Sequence, residues 1–168
     1  MLLLLLGLGV ITAESIEPGT GVVTVPAGLT AVVKPTTAAN GASSGIPLPA
    51  IVITQPIDPS DETQISFDYT QWLAEDEKIT DIDLLTVLPG GVALGLEIDV
   101  RTSPEDRRPI IDPSGKKIGV HLLINDAFRA NAAFSGIGTK MGVAAKIRTN
   151  ATPANVFERT AVITGQQQ

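Results

Sequence analysis

The sequence predicts an all-β protein, an antiparallel β-sandwich, and three observations carry that prediction. Apolar and polar residues alternate over short stretches such as Gln64–Tyr69, Val92–Val100 and Lys116–Ile124, the period-two signature of a half-buried strand. Turn-forming clusters, Pro89-Gly90-Gly91 and Asp112-Pro113-Ser114-Gly115 among them, separate these stretches. The apolar share, 43% of 168 residues, is mostly Ala, Val, Ile and Leu, with only one Trp, one Tyr and four Phe.

From Met1 to Ile57 the only charged residues are Glu14, Glu17 and Lys34; from Asp58 onward charge returns to ordinary density. This break divides the chain into an apolar β-rich arm or small N-terminal subdomain (1–57), a sandwich (58–165) and a polar tail (166–168). In the arm, Val22–Val25, Leu29–Val33 and Ile51–Ile53 read as strands, and the Ala-, Ser-, Gly- and Pro-rich stretch Ala38–Pro49 as a loop or linker. Leu2–Ala13 has the length of a signal-peptide core, but no Lys or Arg precedes Lys34. It is also short of the roughly 20 residues of a membrane span. A buried strand or a docking arm is the favoured reading.

The second segment reads strand by strand. Gln64–Tyr69 places Ile65, Phe67 and Tyr69 on one face, and Trp72-Leu73 follows at once. Lys78–Leu88 is the next strand, with Ile79 opening its hydrophobic set, and Pro89-Gly90-Gly91 closes it as a turn. Val92–Val100 is predicted as a third strand from the alternation of Val92, Leu94, Leu96, Ile98 and Val100. Pro104–Pro109 is a solvated charged loop. Ile110-Ile111 and Lys116–Ile124 flank a tight turn in which Pro113 sets φ and Gly115 closes. Ala127–Gly138 reads as a loop or helical turn anchored by Phe128 and Phe134. Met141–Ile147 and Val156–Ile163 complete the set. Short strands at this spacing favour an immunoglobulin-like topology.

Composition also restricts the chemistry. Without cysteine the chain has no disulfide framework, thiol nucleophile or iron–sulfur ligands, and one histidine cannot form a histidine-based metal cluster. His121 lies on the polar side of an alternating strand, and no Gly-x-Ser-x-Gly elbow accompanies it. The acids Asp58, Asp61 and Glu62, and separately Asp81 and Asp83, lack EF-hand spacing and read as solvated edges. Nothing picks a facing carboxylate pair for a hydrolase. Gly90-Gly91 and Gly136-Ile137-Gly138 are turns, since no cationic helix follows them. Asn150-Ala151-Thr152 matters as a glycosylation acceptor only in a eukaryotic secretory pathway. Arg101, Arg107, Arg108, Lys116 and Lys117 form at most a small basic spot, and a net charge of −6 disfavours nucleic acid as a partner.

The run Asp61-Glu62-Thr63-Gln64-Ile65-Ser66-Phe67-Asp68-Tyr69-Thr70-Gln71-Trp72-Leu73-Ala74-Glu75-Asp76-Glu77-Lys78-Ile79-Thr80 resembles the small immunoglobulin-like virion proteins of tailed bacteriophages, of the fibre–tail adaptor type. Gly142–Thr149, Glu158-Arg159 and Ala161–Thr164 are similar to that family's closing strands, so the resemblance covers about 56–164. One departure is Met141, where such proteins carry a Tyr at the start of the penultimate strand; a tyrosine corner is not expected here.

The resemblance implies a non-enzymatic protein of the tail or fibre attachment region, partnered by other virion proteins and by copies of itself. It implies no cofactor, metal, nucleic acid, membrane or small-molecule substrate. A capsid decoration or cement protein is the nearest alternative, and a secreted bacterial surface module binding carbohydrate or protein is the next. On the residues alone, Phe67, Tyr69, Trp72, Leu73 and Ile79 are the expected fold-defining core, with Glu75-Asp76-Glu77 left in water. The expected interface is apolar arm surface: Leu2, Leu3, Leu4, Leu5, Leu6, Val22, Val23 and Val25.

Overall fold

The structure, a computed structural model, describes residues 17–34 and 50–168. Ten strands form two sheets. They are β1 (Gly19–Thr20), β2 (Thr30–Val32), β3 (Ile51–Val52), β4 (Thr63–Asp68), β5 (Ile79–Val87), β6 (Leu96–Ile98), β7 (Ile110–Ile111), β8 (Lys117–Ile124), β9 (Thr139–Thr149) and β10 (Val156–Gly165). One sheet has the order β1-β7-β8-β4-β2, with β6 pairing further along β8; the other has the order β3-β10-β9-β5. A single helical turn, α1 (Pro89–Val92), and three short 3-10 turns make up the rest of the regular structure among the described residues.

The sheets are mixed. Adjacent long strands run antiparallel, β4 with β8, β9 with β10 and β5 with β9. The short strands from the first 57 residues all pair in parallel: β1 with β7, β2 with β4 and β3 with β10. A parallel neighbour needs a long crossover connection, and these strands are far in sequence from their partners. The fold is therefore β-sandwich-like, and a purely antiparallel arrangement is corrected to two mixed sheets.

The core lies between the sheets. Ile65, Phe67 and Tyr69 of the β4 segment and Ile118, Val120, Leu122 and Ile124 of β8 face Val143, Ala145 and Ile147 of β9 and Ala161 and Ile163 of β10, all fully buried. The alternation read from the sequence puts these side chains on the inner face, as the pleat requires. Leu29, Ala31, Val33, Ile53 and Ile57 belong to the same continuous cluster.

Three predicted details change. Val22–Val25 is not a strand: the chain pairs at Gly19–Thr20, ahead of it, and runs on unpaired to the 3-10 turn at Ala27–Leu29. Val92–Val100 is not one strand: the amides of Gly91 and Val92 donate to the Leu88 carbonyl at 2.8 and 3.1 Å, so the chain makes a helical turn with Pro89 at its start. Gly95 then takes φ +76° against the Phe128 ring, and only Leu96–Ile98 pairs with β8. Val92 and Val100 are consequently exposed. In β5, Thr80 and Asp83 are extra residues opposite β9. These two bulges put Ile79, Ile82 and Leu85 inward at a spacing of three instead of two. The 112–115 turn forms as read, with the Gly115 amide donating to the Asp112 carbonyl at 2.7 Å and Gly115 at φ +67°.

The C-terminal residues are tied down by backbone. The Gln166 amide donates to the Ile57 carbonyl, the Gln167 amide to the Phe134 carbonyl, and the Gln168 amide to the Asp58 carboxylate.

Candidate functional site

The expected interface residues that are described lie near the outer strands of the two sheets. Among the described residues five strands have a single neighbour, β1, β2 and β6 in one sheet and β3 and β5 in the other. Three of these five come from residues 19–52. Such strands present unpaired N–H and C=O groups to any extended partner. Val22, just after β1, is 70% exposed and Val52 of β3 is 55% exposed, so both offer apolar surface. Val23 instead turns inward, its amide donating to the Asp112 carboxylate at 3.1 Å, and Val25 packs half-buried on the core. Leu2, Leu3, Leu4, Leu5 and Leu6 lie outside the described residues. The edge at β5 is blunted by its two bulges.

The expected core residues are placed unevenly. Phe67, Tyr69, Leu73 and Ile79 are buried, whereas Trp72 is half-buried. The Trp72 amide donates to the Tyr69 carbonyl, which folds the ring back over the end of the sandwich. There it meets Phe157 edge-on at 5.7 Å and the Arg159 guanidinium at 4.1 Å. The adjacent acidic turn is not wholly solvated. Glu77 accepts from the Thr149 hydroxyl at 2.6 Å and the Asn155 amide at 2.7 Å, and these bonds hold its carboxyl below the usual range.

The basic spot is resolved into ion pairs. Arg101 donates to the buried Asp99 carboxylate at 2.6 and 2.9 Å and reaches Glu62 at 2.7 Å. Arg107 pairs with Glu105 at 2.7 Å, Arg108 with Asp106 at 2.7 Å and Lys117 with Asp68 at 3.3 Å. Lys116 caps the backbone carbonyls of Ala74 and Glu77. Hydrogen bonds from Arg101 keep the Asp99 carboxyl below its ordinary value, and those from Arg108 hold the Asp106 carboxyl down at about 2.

Two shallow depressions share the Glu62–Arg101 pair as a wall. One, of about 170 Å³, runs towards Glu105 and Arg107, and the other, of about 350 Å³, towards Asn125 and Arg129. This rim can recognise polar surface, but its charges are already matched. His121 stands beside it, half-buried, with Nδ1 3.2 Å from the Arg107 carbonyl. Desolvation pushes its pKa down, so the ring is neutral at pH 7.

The remaining acids are engaged singly. Asp58 accepts from the Ser60 and Gln168 amides, and Asp83 accepts from Arg148 at 2.9 and 3.1 Å. Among the described residues no group of three or more His, Asp or Glu is placed to hold a metal ion. Sequence reasoning missed the Asp99–Arg101–Glu62 link and the Arg159–Trp72 stack. The first carries a signal in its two-residue Asp-Val-Arg spacing, while the second joins positions too far apart in sequence to be read. Comparison with family models, curated proteins and solved structures found no match.

Proposed function

We propose that this chain is a non-enzymatic structural protein of a tailed-bacteriophage virion, connecting tail or fibre components through contacts between subunits. The observation that carries the reading is that a nearly charge-free N-terminal segment supplies three of the five outer strands among the described residues, so partners that pair by strand addition meet that segment at both sheets. The resemblance over 56–164 supports the same reading, and with it an immunoglobulin-like ancestry in which β1, β2 and β3 are parallel additions to the edges. Weak edge contacts repeated around a symmetric assembly add up through effective concentration. Capsid decoration would use the same contacts at another position in the particle.

The test is native mass spectrometry of the purified full chain, followed by cross-linking within purified particles. A defined ring or other closed oligomer, with cross-links from Lys34 to other virion proteins, is expected. A chain that stays monomeric at high micromolar concentration and is missing from the particle overturns the reading.

A further inference from the structure

All six arginines of the sequence are described, and five of them, Arg101, Arg107, Arg108, Arg129 and Arg148, reach an Asp or Glu within 2.9 Å. Arg159 has no such partner among the described residues. Its one hydrogen bond runs from a terminal nitrogen to the Glu158 carbonyl at 2.7 Å. It faces the inner side of β10, as do Phe157 and Ala161, and sits over the Trp72 ring with its central carbon 4.1 Å from the ring centroid. Phe157 meets the same indole edge-on, with the ring centroids 5.7 Å apart.

A guanidinium held over an aromatic face has few orientations open to it, and the N–H groups not engaged with the Glu158 carbonyl remain able to donate. Tyr69, from which the Trp72 turn starts, has a fully buried hydroxyl with no hydrogen-bond partner among the described residues. Burial pushes that phenol's pKa up, and the positive charge of Arg159 partly offsets the effect, which places the two groups within electrostatic reach. Half-buried cations in proteins are ordinarily matched by an acid. Here the matching acid is absent from the described chain, although the protein carries a surplus of carboxylates elsewhere.

We infer that Arg159, mounted on Trp72 and Phe157, is a receptor for a carboxylate supplied by another polypeptide, a Glu or Asp side chain approaching the end of the sandwich where β4 finishes and β10 begins. The planar fork takes the carboxylate in two parallel hydrogen bonds, and the indole fixes the fork so that little freedom is lost on binding. The proposal rests on this geometry and stands whatever the chain's role in a particle.

Trp72 is the chain's only tryptophan, so its emission reports on this site alone. The probe is the tripeptide acetyl-Ala-Glu-Ala-amide in the millimolar range, with acetyl-Ala-Gln-Ala-amide as its neutral counterpart. The Glu peptide is expected to change Trp72 emission saturably and the Gln peptide is not. The response should vanish in Arg159→Gln and weaken about tenfold in Arg159→Lys, which keeps the charge and loses the fork. A second copy as the source of the carboxylate is recognised by emission that depends on protein concentration without peptide and loses that dependence in Arg159→Gln.

Equal responses to both peptides, equal responses of wild type and Arg159→Gln, or no response to peptide or to concentration each overturn the inference. Should Arg159→Gln fail to fold, the Arg159 Nε–H resonance of the unaltered chain decides: a shift with the Glu peptide alone supports the site, and an unmoved resonance overturns it.

Discussion

Tyr69 is buried on folding, and its hydroxyl has no hydrogen-bond partner among the described residues. An unsatisfied buried hydroxyl costs about 1–3 kcal/mol, while the ring itself packs among Phe67 and the rest of the core. Tyr69→Phe keeps the ring and removes the uncompensated group. We expect it to stabilise the chain by about 1 kcal/mol, raising Tm by roughly 2–4 °C for a chain of this size. A lower Tm in a calorimetric scan would show that the hydroxyl has a partner. At His121 the sign runs with pH. Its native pKa is depressed below 6.5, chiefly by desolvation, so the unfolded chain takes up the proton first as pH falls. Stability is complete above that value and declines as pH drops through it. The depressed carboxyls of Glu77, Asp99 and Asp112 add a further loss at lower pH, in the ordinary carboxylate range and below. Because His121 is the only histidine, His121→Gln should make the urea midpoint flat between about pH 7 and pH 5.5, where the wild type slopes. An unchanged slope rules out this account.

At the scale of the element, β5 separates two models of one strand. Strict alternation from Ile79 would turn Asp81 and Asp83 into the core, whereas the bulges at Thr80 and Asp83 bring Ile82 and Leu85 there. Ile82→Ala should therefore cost about 2–5 kcal/mol and Leu84→Ala less than about 1 kcal/mol. Similar costs at both positions, measured by denaturant unfolding, would mean that the register is wrong. β4, β8, β9 and β10 were legible because each keeps a period-two apolar face turned to the core over most of its length. The 92–100 stretch misled for a local reason. Alternation there continues through a helical turn that Pro89 initiates and Gly95 ends, and the sequence pattern alone does not register those backbone bonds. The ion-pair rim was half legible. Arg101, Arg107 and Glu62 stood out as charges, but their pairing depends on β4, β6 and the 99–109 loop meeting at β8.

Across the whole molecule, composition and packing draw different lines. Charge density changes at Asp58, yet the core cluster passes through that point: Leu29, Ala31, Val33, Ile53 and Ile57 are buried with residues of β4, β8 and β10. The mechanism is edge pairing. β2 covers β4 through Thr30↔Ser66 to Val32↔Asp68, and the Val33 amide continues the ladder to the Asp68 carbonyl at 2.8 Å. Removing 1–49 would strip Val23, Leu29, Ala31 and Val33 from the interior and leave β4 as a raw edge. At about 1.5–3 kcal/mol for each large buried aliphatic side chain, the loss from Val23, Leu29 and Val33 reaches about 5 kcal/mol or more, comparable with the roughly 5–15 kcal/mol that holds a typical domain together. The truncated chain is therefore expected to lose its cooperative thermal transition or to melt more than about 10 °C lower. Circular dichroism melts of the truncated and the full chain decide the matter. If the chain lacking 1–49 unfolds as cooperatively and as late as the full protein, the N-terminal strands are appendages to an independent sandwich and do not hold its core together.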